Sequence, residues 1–461
     1  MSLASLPCAG CGTLNAAGVE VCVQCGRLLS TAESQGCDVA VRQTSRATPK
    51  ILSAALIIIT LVVFMDQVDD NALFGVLPLI GKEFNLDDFQ LGLIPFVESV
   101  LLLLATIPFG LAADRFSRTR VVTIGLLVWA VFTALSGLAV SFPMLLVIRG
   151  CTGVGVTSYD APTSSLVCDL YPSKLRGKAL GFRGLGITLG AVLGVGLAGA
   201  ATAFVSWRLV FLVVGVLALP LAFFMFRLRE PTRGQFDDTL AEAVEKVTLR
   251  HVWDGARQIL GSPGMRLGIL GLGIQTFGVD GIGTFLPTFL ERYYGISNAS
   301  AAGIFALVIV GSVIGVYPGG LVDSRLTQRY GTGSHFLVAG LCTFAMGICF
   351  AIGIYVPLLP LTVGLSVLSG FLLGATLAPL GALVGDVIRA NRRSYAYATQ
   401  TTVAKLIGVS AAPLLGGLSV ALGNLQLAMI LFVIPLLLAG LLLFSRQKAV
   451  SQGTPVSTVQ P

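Results

Sequence analysis

Apolar stretches of about 18 residues or more recur along the chain, and a helix of that length crosses about 30 Å of hydrocarbon. Lipid offers no water to backbone N–H and C=O groups, so only helices or a closed barrel can span it, and runs this long read as helices. Twelve are expected, at 51–80, 89–112, 121–140, 143–169, 178–200, 207–228, 266–290, 300–322, 335–355, 358–388, 395–420 and 423–445. The first two, joined by a short polar loop and closed by the basic turn from Asp114 to Arg120, make a membrane hairpin. Only 11% of residues are charged and 55% are hydrophobic, with mean hydropathy +0.87. Soluble domains carry about 25% charged residues, so a soluble fold is excluded. The expected fold class is an all-α polytopic membrane protein of 12 transmembrane helices in two six-helix halves. Its 55 glycines suit helices that approach closely in lipid.

The basic residues set the orientation. With the N-terminus in the cytoplasm, that side receives all but five of the 30 Lys and Arg residues: Lys82, Arg208 and Arg292 fall outside, and Arg149 and Lys405 within helices. Both termini are then cytoplasmic, in a multi-pass protein of the plasma or inner membrane. The net charge of +7 follows the membrane and does not indicate a nucleic-acid partner. The first fifty residues lack a basic-then-apolar signal pattern, so no cleaved leader is expected. The domain plan is a module at 1–30, a linker at 31–50, one six-helix half at 51–228, a central cytoplasmic loop at 229–265, the second half at 266–445 and a tail at 446–461.

The sharpest local motif lies at the N-terminus, Cys8-Ala-Gly-Cys11-Gly and then Cys22-Val-Gln-Cys25-Gly. Two CxxC-Gly knuckles can place four thiolates around one tetrahedral Zn²⁺, a closed structural site with no open coordination position. The segment resembles the short zinc ribbons at the ends of many microbial proteins. Paired disulfides, which need an oxidising compartment, and a redox dithiol are the alternatives. Cys37 lies outside the pattern. Such a ribbon could dock a cytoplasmic protein partner.

The chain also repeats itself. The turn Gly110-Leu-Ala-Ala-Asp114-Arg115-Phe-Ser-Arg118 returns as Gly319-Gly-Leu-Val-Asp323-Ser-Arg325, and each follows a helix ending in proline and glycine, with Pro108 or Pro318. Two halves with matching turns mark a transporter built from repeats, its solute site near the midplane between them. Twelve helices, a long central loop and a GxxxDR turn after helices two and eight resemble the major facilitator superfamily over residues 51–445. Arg149-Gly-Cys-Thr-Gly153-Val-Gly155 is similar to that family's RGxxGxG segment. The stretches FMDQ…GVLPLI…FNLDDFQLGLI, GVGVTSYDAPTSSLVCDLY and TFLPTFLERYYGIS…AAG resemble the spinster-like branch, whose members move lysophospholipids or sphingoid lipids. The chain departs from that branch at Gln67 and Val156, where arginine and glutamate are usual. From the superfamily's turn it departs at Ser117 and Ser324.

Charges inside the membrane are costly and mark partners or solute paths. Asp66, Asp69 and Asp70, spaced i, i+3 and i+4, are expected on one helical face, where three carboxylates cannot all ionise comfortably and one can carry a proton. They could equally line a wet vestibule or cap a helix break. The resemblance places helices one and four at the cavity. It implies Arg149 as counter-ion to these aspartates or as a two-bond grip on an anionic headgroup, with Tyr159 and Asp160 extending the same wall. It also implies that Glu98 in helix two faces Lys405 in helix eleven, a candidate gating pair between the halves. Asp280 is a further site candidate, stabilising a helix break at Gly278, Gly281 and Gly283. Gly110, Asp114, Arg115 and Arg118 form a candidate latch, and Asp323 with Arg325 its weaker counterpart.

No enzyme motif competes, and the chain has no P-loop to drive a pump with ATP. Its two histidines, His251 and His335, fall at helix edges. The leading expectation is a proton-linked carrier working by alternating access, without an organic cofactor, acting as a monomer on a small-molecule or lysolipid-like amphipathic anion. A small organic-anion/proton symporter and a membrane sensor signalling through the ribbon are the alternatives. For the ribbon, one zinc per chain is expected in freshly purified protein by elemental analysis, and less than about half an equivalent rules it out.

Overall fold

The computed structural model describes residues 6–7, 14–15, 53–232, 263–387 and 393–445. The chain divides into a short unit, Met1–Lys50, and a large one, Ile51–Pro461. In the short unit the strands β1 (Leu6–Pro7) and β2 (Leu14–Asn15) pair antiparallel, with Leu6 opposite Asn15 and Pro7 opposite Leu14. They bracket the first CxxC in sequence. The four cysteines proposed as zinc ligands lie outside the described residues.

The large unit is helical. Its first half holds α1 (Ala54–Phe84), α2 (Asp88–Arg115), α3 (Arg118–Ser136), α4 (Phe142–Val156), α5 (Asp160–Leu170), α6 (Ser173–Ala201) and α7 (Trp207–Arg227). Its second holds α8 (Pro263–Tyr294), α9 (Asn298–Tyr330), α10 (Ser334–Tyr355), α11 (Leu359–Val387), α12 (Arg393–Gly408), α13 (Ala411–Leu422) and α14 (Leu425–Ser445). Among the described residues, ten helical stretches are long and apolar enough to cross a membrane. α1 fails that measure although it runs 31 residues, because Asp66, Asp69 and Asp70 interrupt its apolar sequence.

Two of the expected spans are not continuous. The run at 143–169 divides into α4 and α5 around Thr157–Tyr159, and the run at 395–420 divides into α12 and α13 around Val409 and Ser410. Proline explains both sites: its ring cannot donate to the carbonyl four residues back and clashes with it. Pro162 stands four residues after Ser158, and Pro413 four after Val409. In contrast, α8 runs unbroken through Gly278, Gly281 and Gly283. A Cβ on Gly278 would meet the Leu436 side chain at 2.5 Å, and one on Gly281 the Phe432 ring at 2.4 Å. Gly278 and Gly281 seat α14, and none of the three opens a break.

The loops fall on two faces. On one, Asn85 adopts a left-handed conformation at φ 51° and turns the chain from α1 into α2. A capping box starts α2, in which the Gln90 N–H donates to Asp87 at 2.7 Å and the Asp87 N–H donates to the Gln90 side chain at 3.0 Å. The opposite face carries the α2–α3 and α5–α6 turns, where the Ser53 and Tyr171 hydroxyls meet at 2.7 Å.

Small residues bring helices into backbone contact in both halves. A Cβ on Gly190 of α6 would stand 2.4 Å from the Phe64 carbonyl oxygen of α1, and one on Gly315 of α9 would stand 1.9 Å from the Phe371 carbonyl oxygen of α11. Each belongs to a series at four-residue spacing, Gly186, Gly190 and Gly194 in one half and Gly311, Gly315 and Gly319 in the other. Gly315→Leu must therefore push α9 off α11, and overpacking of this kind costs about 1–3 kcal/mol or more. The expected result is loss of the monodisperse peak in size-exclusion chromatography. Gly364→Leu, where a Cβ meets nothing within 4 Å, should leave the peak unchanged.

Candidate functional site

A cavity of about 810 Å³ lies between the two halves. Its walls are apolar along Phe74, Phe305 and Phe350, and carry charge at Asp66, Asp70, Asp280 and Lys405. The three aspartates of α1 do not share one environment. Asp69 is 1% exposed and points into the first half, Asp66 is half-buried, and Asp70 is exposed to the cavity. At 100° per residue the i+3 position drifts away from i+4, and the two sides of that divergence meet different neighbours.

Asp69 belongs to a buried cluster. One carboxylate oxygen accepts from the Trp129 indole at 2.9 Å and the Thr133 hydroxyl at 3.0 Å, and the other from the Arg149 guanidinium at 3.1 Å. Arg149 also donates to Glu98 from Nη2 at 2.8 Å and Nε at 3.1 Å, and its guanidinium carbon lies 5.2 Å from the Phe211 ring centroid. The planar fork thus holds two carboxylates with three bonds and stacks on an aromatic face, an arrangement a lysine could not reproduce. Of the two roles expected for Arg149, the structure shows the counter-ion to an α1 aspartate: the guanidinium is fully buried on Asp69 and does not line the cavity. One expectation is corrected here. Glu98 pairs with Arg149 in its own half and not with Lys405, because the guanidinium lies within bonding reach.

The break after α4 gives the second feature. Thr157 and Ser158 turn their hydroxyls back onto the Gly153 and Gly155 carbonyls, and Tyr159 follows with its ring fully buried beside Trp129 at 6.2 Å between centroids. Its hydroxyl donates to Asp66 Oδ1, while the Gln67 amide donates to Oδ2 at 3.0 Å. Asp66 at the cavity wall is thus held by Tyr159 and Gln67. The side chain of Asp160 lies outside the described residues.

The third feature is a lysine. Lys405, in the last turn of α12, is exposed to the cavity, and among the described residues its ammonium has no ion pair within 4 Å and no hydrogen bond. Asp70 and Asp280 line the same cavity, each near enough for its charge to act on Lys405. Asp280 is exposed there too, and a Cβ on Gly408 would stand 2.9 Å from its Oδ2. The lysine is the cavity's available cation, the role the sequence had suggested for Arg149.

The halves meet beyond the cavity, toward the α1–α2 face. Lys82 pairs with Glu291, and Arg292 donates to Asp88 at 2.7 Å. The other Asp88 oxygen accepts from Ser419 at 2.6 Å, and Asn298 donates to the Gly75 carbonyl at 2.9 Å. Leu73, Val76, Ile282, Phe285 and Phe289 add a continuous apolar contact between α1 and α8. These contacts between the halves all lie on this side of the cavity.

At the opposite face the basic turns act within their own halves. Arg118 reaches Asp169 of α5 at 2.6 Å, Ser165 at 2.7 Å, and Glu230 beyond α7 at 3.2 Å. Burial opposes the charge on Glu230, but bonds from Ser117 and from the Arg118 backbone and side chain hold its carboxyl below the usual glutamate range. Arg115 is exposed over the Phe116 ring at 5.9 Å, Gly110 faces open space, and the Asp114 side chain lies outside the described residues. In the second half the expected partner is corrected. Asp323, 5% exposed, takes His335 Nδ1 at 2.9 Å, whereas Arg325 two residues on is exposed. The i+2 spacing of Asp323 and Arg325 puts them on different sides of a helix, while the short α9–α10 turn returns His335 beside the aspartate.

The Major Facilitator Superfamily model matches residues 59–325 and 308–459. The chain belongs to this superfamily of membrane transporters, and it is not an enzyme. It is 25% identical over 369 residues to a probable 4-methylmuconolactone transporter of Cupriavidus pinatubonensis, covering 78% of this chain and 82% of the relative. It is 27% identical over 393 residues to protein spinster homolog 1 of Xenopus laevis, covering 78% and 72%. In fold it is similar to the crystal structure of a bacterial homolog of the human lysosomal transporter Spinster, in an inward-facing and unoccupied conformation. That likeness has a TM-score of 0.76 at 22% identity, and covers 88% of this chain and 100% of the other. Trp129, Thr133, Asp169, Glu230 and His335 escape a reading of the sequence, since none forms a spaced motif. Only the isolation of Arg149 in an apolar helix signals that some carboxylates must converge on it.

Removing Arg149 strands two buried carboxylates, a loss of about 3–5 kcal/mol. Arg149→Ala is expected to lower the melting temperature sharply in a detergent thermal scan. Arg149→Met combined with Asp69→Asn and Glu98→Gln should recover most of the loss, and equal melting temperatures for the single and triple variants would remove the cluster's structural role.

Proposed function

We propose that the protein is a proton-linked secondary carrier of an amphipathic organic anion, working by alternating access with twelve membrane crossings. The observation that carries the reading is the cavity between the halves, sealed toward one face and holding both carboxylates and an available lysine. α1 and the broken α4–α5 pair supply the two crossings beyond the ten stretches counted on length and composition. The basic residues put both termini and the cavity's open side in the cytoplasm of a cell bounded by this membrane, and the ribbon with its zinc on the same side, available to a protein partner. The carrier is read as working as a monomer.

The coupling follows from charge. A carboxylate in a membrane cavity is stable when neutralised by a proton or a cation, so Asp66, Asp70 and Asp280 can carry protons between the two faces. Opening toward the outside requires the Lys82–Glu291 and Asp88–Arg292 contacts to part while the cytoplasmic ends close. The apolar walls at Phe74, Phe305 and Phe350 suit a solute with an apolar body, as in spinster-like carriers of lysolipids. A small organic-anion symporter is the second reading, favoured by the likeness to the probable 4-methylmuconolactone transporter.

Reconstitution in liposomes containing a pH-sensitive dye tests both. A lysophospholipid or a small carboxylate added outside should acidify the lumen in company with the solute, and the effective class identifies the branch. Asp66→Asn should abolish the proton signal while the protein stays folded. Solute uptake that is indifferent to the pH gradient would end the proton-linked reading, and uptake of neither class would end carriage of organic anions.

A further inference from the structure

We propose that Lys405 anchors the anionic group of the solute, and that Asp280 competes with the solute for this lysine, so that binding an anion and protonating Asp280 are one event. This rests on the reading of the protein as an organic-anion carrier and names the residues that would make it one.

The placement of the two side chains carries the argument. Lys405 and Gly408 are one turn apart in α12, so both present the same helical side to α8. On that side the absence of a side chain at Gly408 lets the Asp280 carboxylate pack against the α12 backbone, 2.9 Å from where a Cβ would stand. Helix α12 ends at this glycine, which makes the Lys405–Gly408 turn the cavity's edge at the α12–α13 break. Neither Lys405 nor Asp280 is buried in protein, and both are exposed to the cavity. An ammonium exposed in a cavity within the membrane without a bonded carboxylate is a cation kept available.

The other cationic groups near the site are committed. Arg149 is closed between Asp69 and Glu98, and Arg183 is 8% exposed with an interaction of its own. The charges lining the cavity with Asp280 are Asp66, Asp69 and Asp70 from α1, Glu98 from α2, Arg183 from α6 and Lys405 from α12, with the Tyr159 hydroxyl at the α4–α5 break. Glu98 shares the Arg149 charge with Asp69, and Asp66 is held by Tyr159 and Gln67. Asp70 stands on the opposite half, so a solute body between the halves separates it from Lys405. Asp280, on the same half, stays beside the lysine in either state.

The exchange balances simply. Without solute, Lys405 is neutralised by Asp280 through the cavity. When a carboxylate or phosphate takes the ammonium, Asp280 loses its counter-charge and accepts a proton from the aqueous opening. Anion and proton then occupy the cavity together.

The test uses the full-length protein in detergent, with 4-phenylbutyrate, succinate and lysophosphatidate as probes of amphipathic carboxylate, small carboxylate and amphipathic phosphate. Affinity is read by thermal shift from pH 6 to 8, and Lys405 reactivity by acetic anhydride and peptide mass spectrometry on wild-type protein. A stabilising probe should protect Lys405 from acetylation and spare Lys82, which is 65% exposed at the other face. Its binding should weaken as pH rises. Lys405→Gln should weaken it by about 30-fold or more, Lys405→Arg should keep most of it, and Asp280→Asn should flatten the pH dependence.

A probe that stabilises wild type yet leaves Lys405 unprotected, or binds Lys405→Gln equally, overturns the anchor while leaving the carrier reading intact. An unchanged pH slope in Asp280→Asn overturns the competition. If none of the three probes stabilises the wild type, both the anchor and the organic-anion reading fall. The protection measurement needs no variant, so a misfolded Lys405→Gln does not shelter the proposal.

Discussion

A guanidinium cannot be discharged at any working pH, and in hydrocarbon it must be answered by carboxylates. Arg149 is where this chain meets that requirement, and much of the first half is arranged by it. Asp69 arrives from α1, Glu98 from α2, and Trp129 and Thr133 from α3 complete the bonding of Asp69. Four helices are thereby fixed relative to one another by one charge. The desolvation cost of such a cluster makes it weak evidence for net stability, but removal of Arg149 leaves two buried carboxylates unanswered, which ties the helices to this one arrangement.

Asp69 and Glu98 touch the cavity edge but are bound by Arg149, so the charges there without that tie are a different set. Asp66, Asp70, Asp280 and Lys405 face the space between the halves, and they are divided between them: two on α1, two on α8 and α12. Movement of one half against the other changes the distances across that division, whereas the Arg149 cluster travels within its half as a rigid unit. Structural charge and working charge are thus separated within one helix, at positions 69 and 70.

The helical fold and the turns after helices two and eight were legible because lipid imposes length and apolarity on every span, and repetition exposes the halves. Breaks were less legible. Seven of the described helices carry an internal proline without interruption, so Pro162 and Pro413 do not announce themselves by type. The site was half legible: intramembrane charges could be named, but which carboxylate each cation takes depends on helix rotation. Glu98 was assigned to Lys405 when Arg149 was nearer, and Asp323 to Arg325 when the α9–α10 turn returns His335. Both errors arise from proximity across helices, which spacing within one helix cannot report.

The contacts that close the α1–α2 face differ in kind from those at the Arg149 cluster. Lys82 is largely in solvent and Arg292 nearly half so, whereas Arg149 is fully withdrawn. The carboxylate partners of Lys82 and Arg292, Glu291 and Asp88, are 11% and 9% exposed, so each pair has one solvated end, and salt screens such pairs more than it does a fully buried one. The medium on that side therefore reaches the closed state through its dissolved ions, without entering the cavity. Dissolved salt biases the occupancy of the two access states, while the membrane-buried framework that keeps each half intact stays indifferent to it.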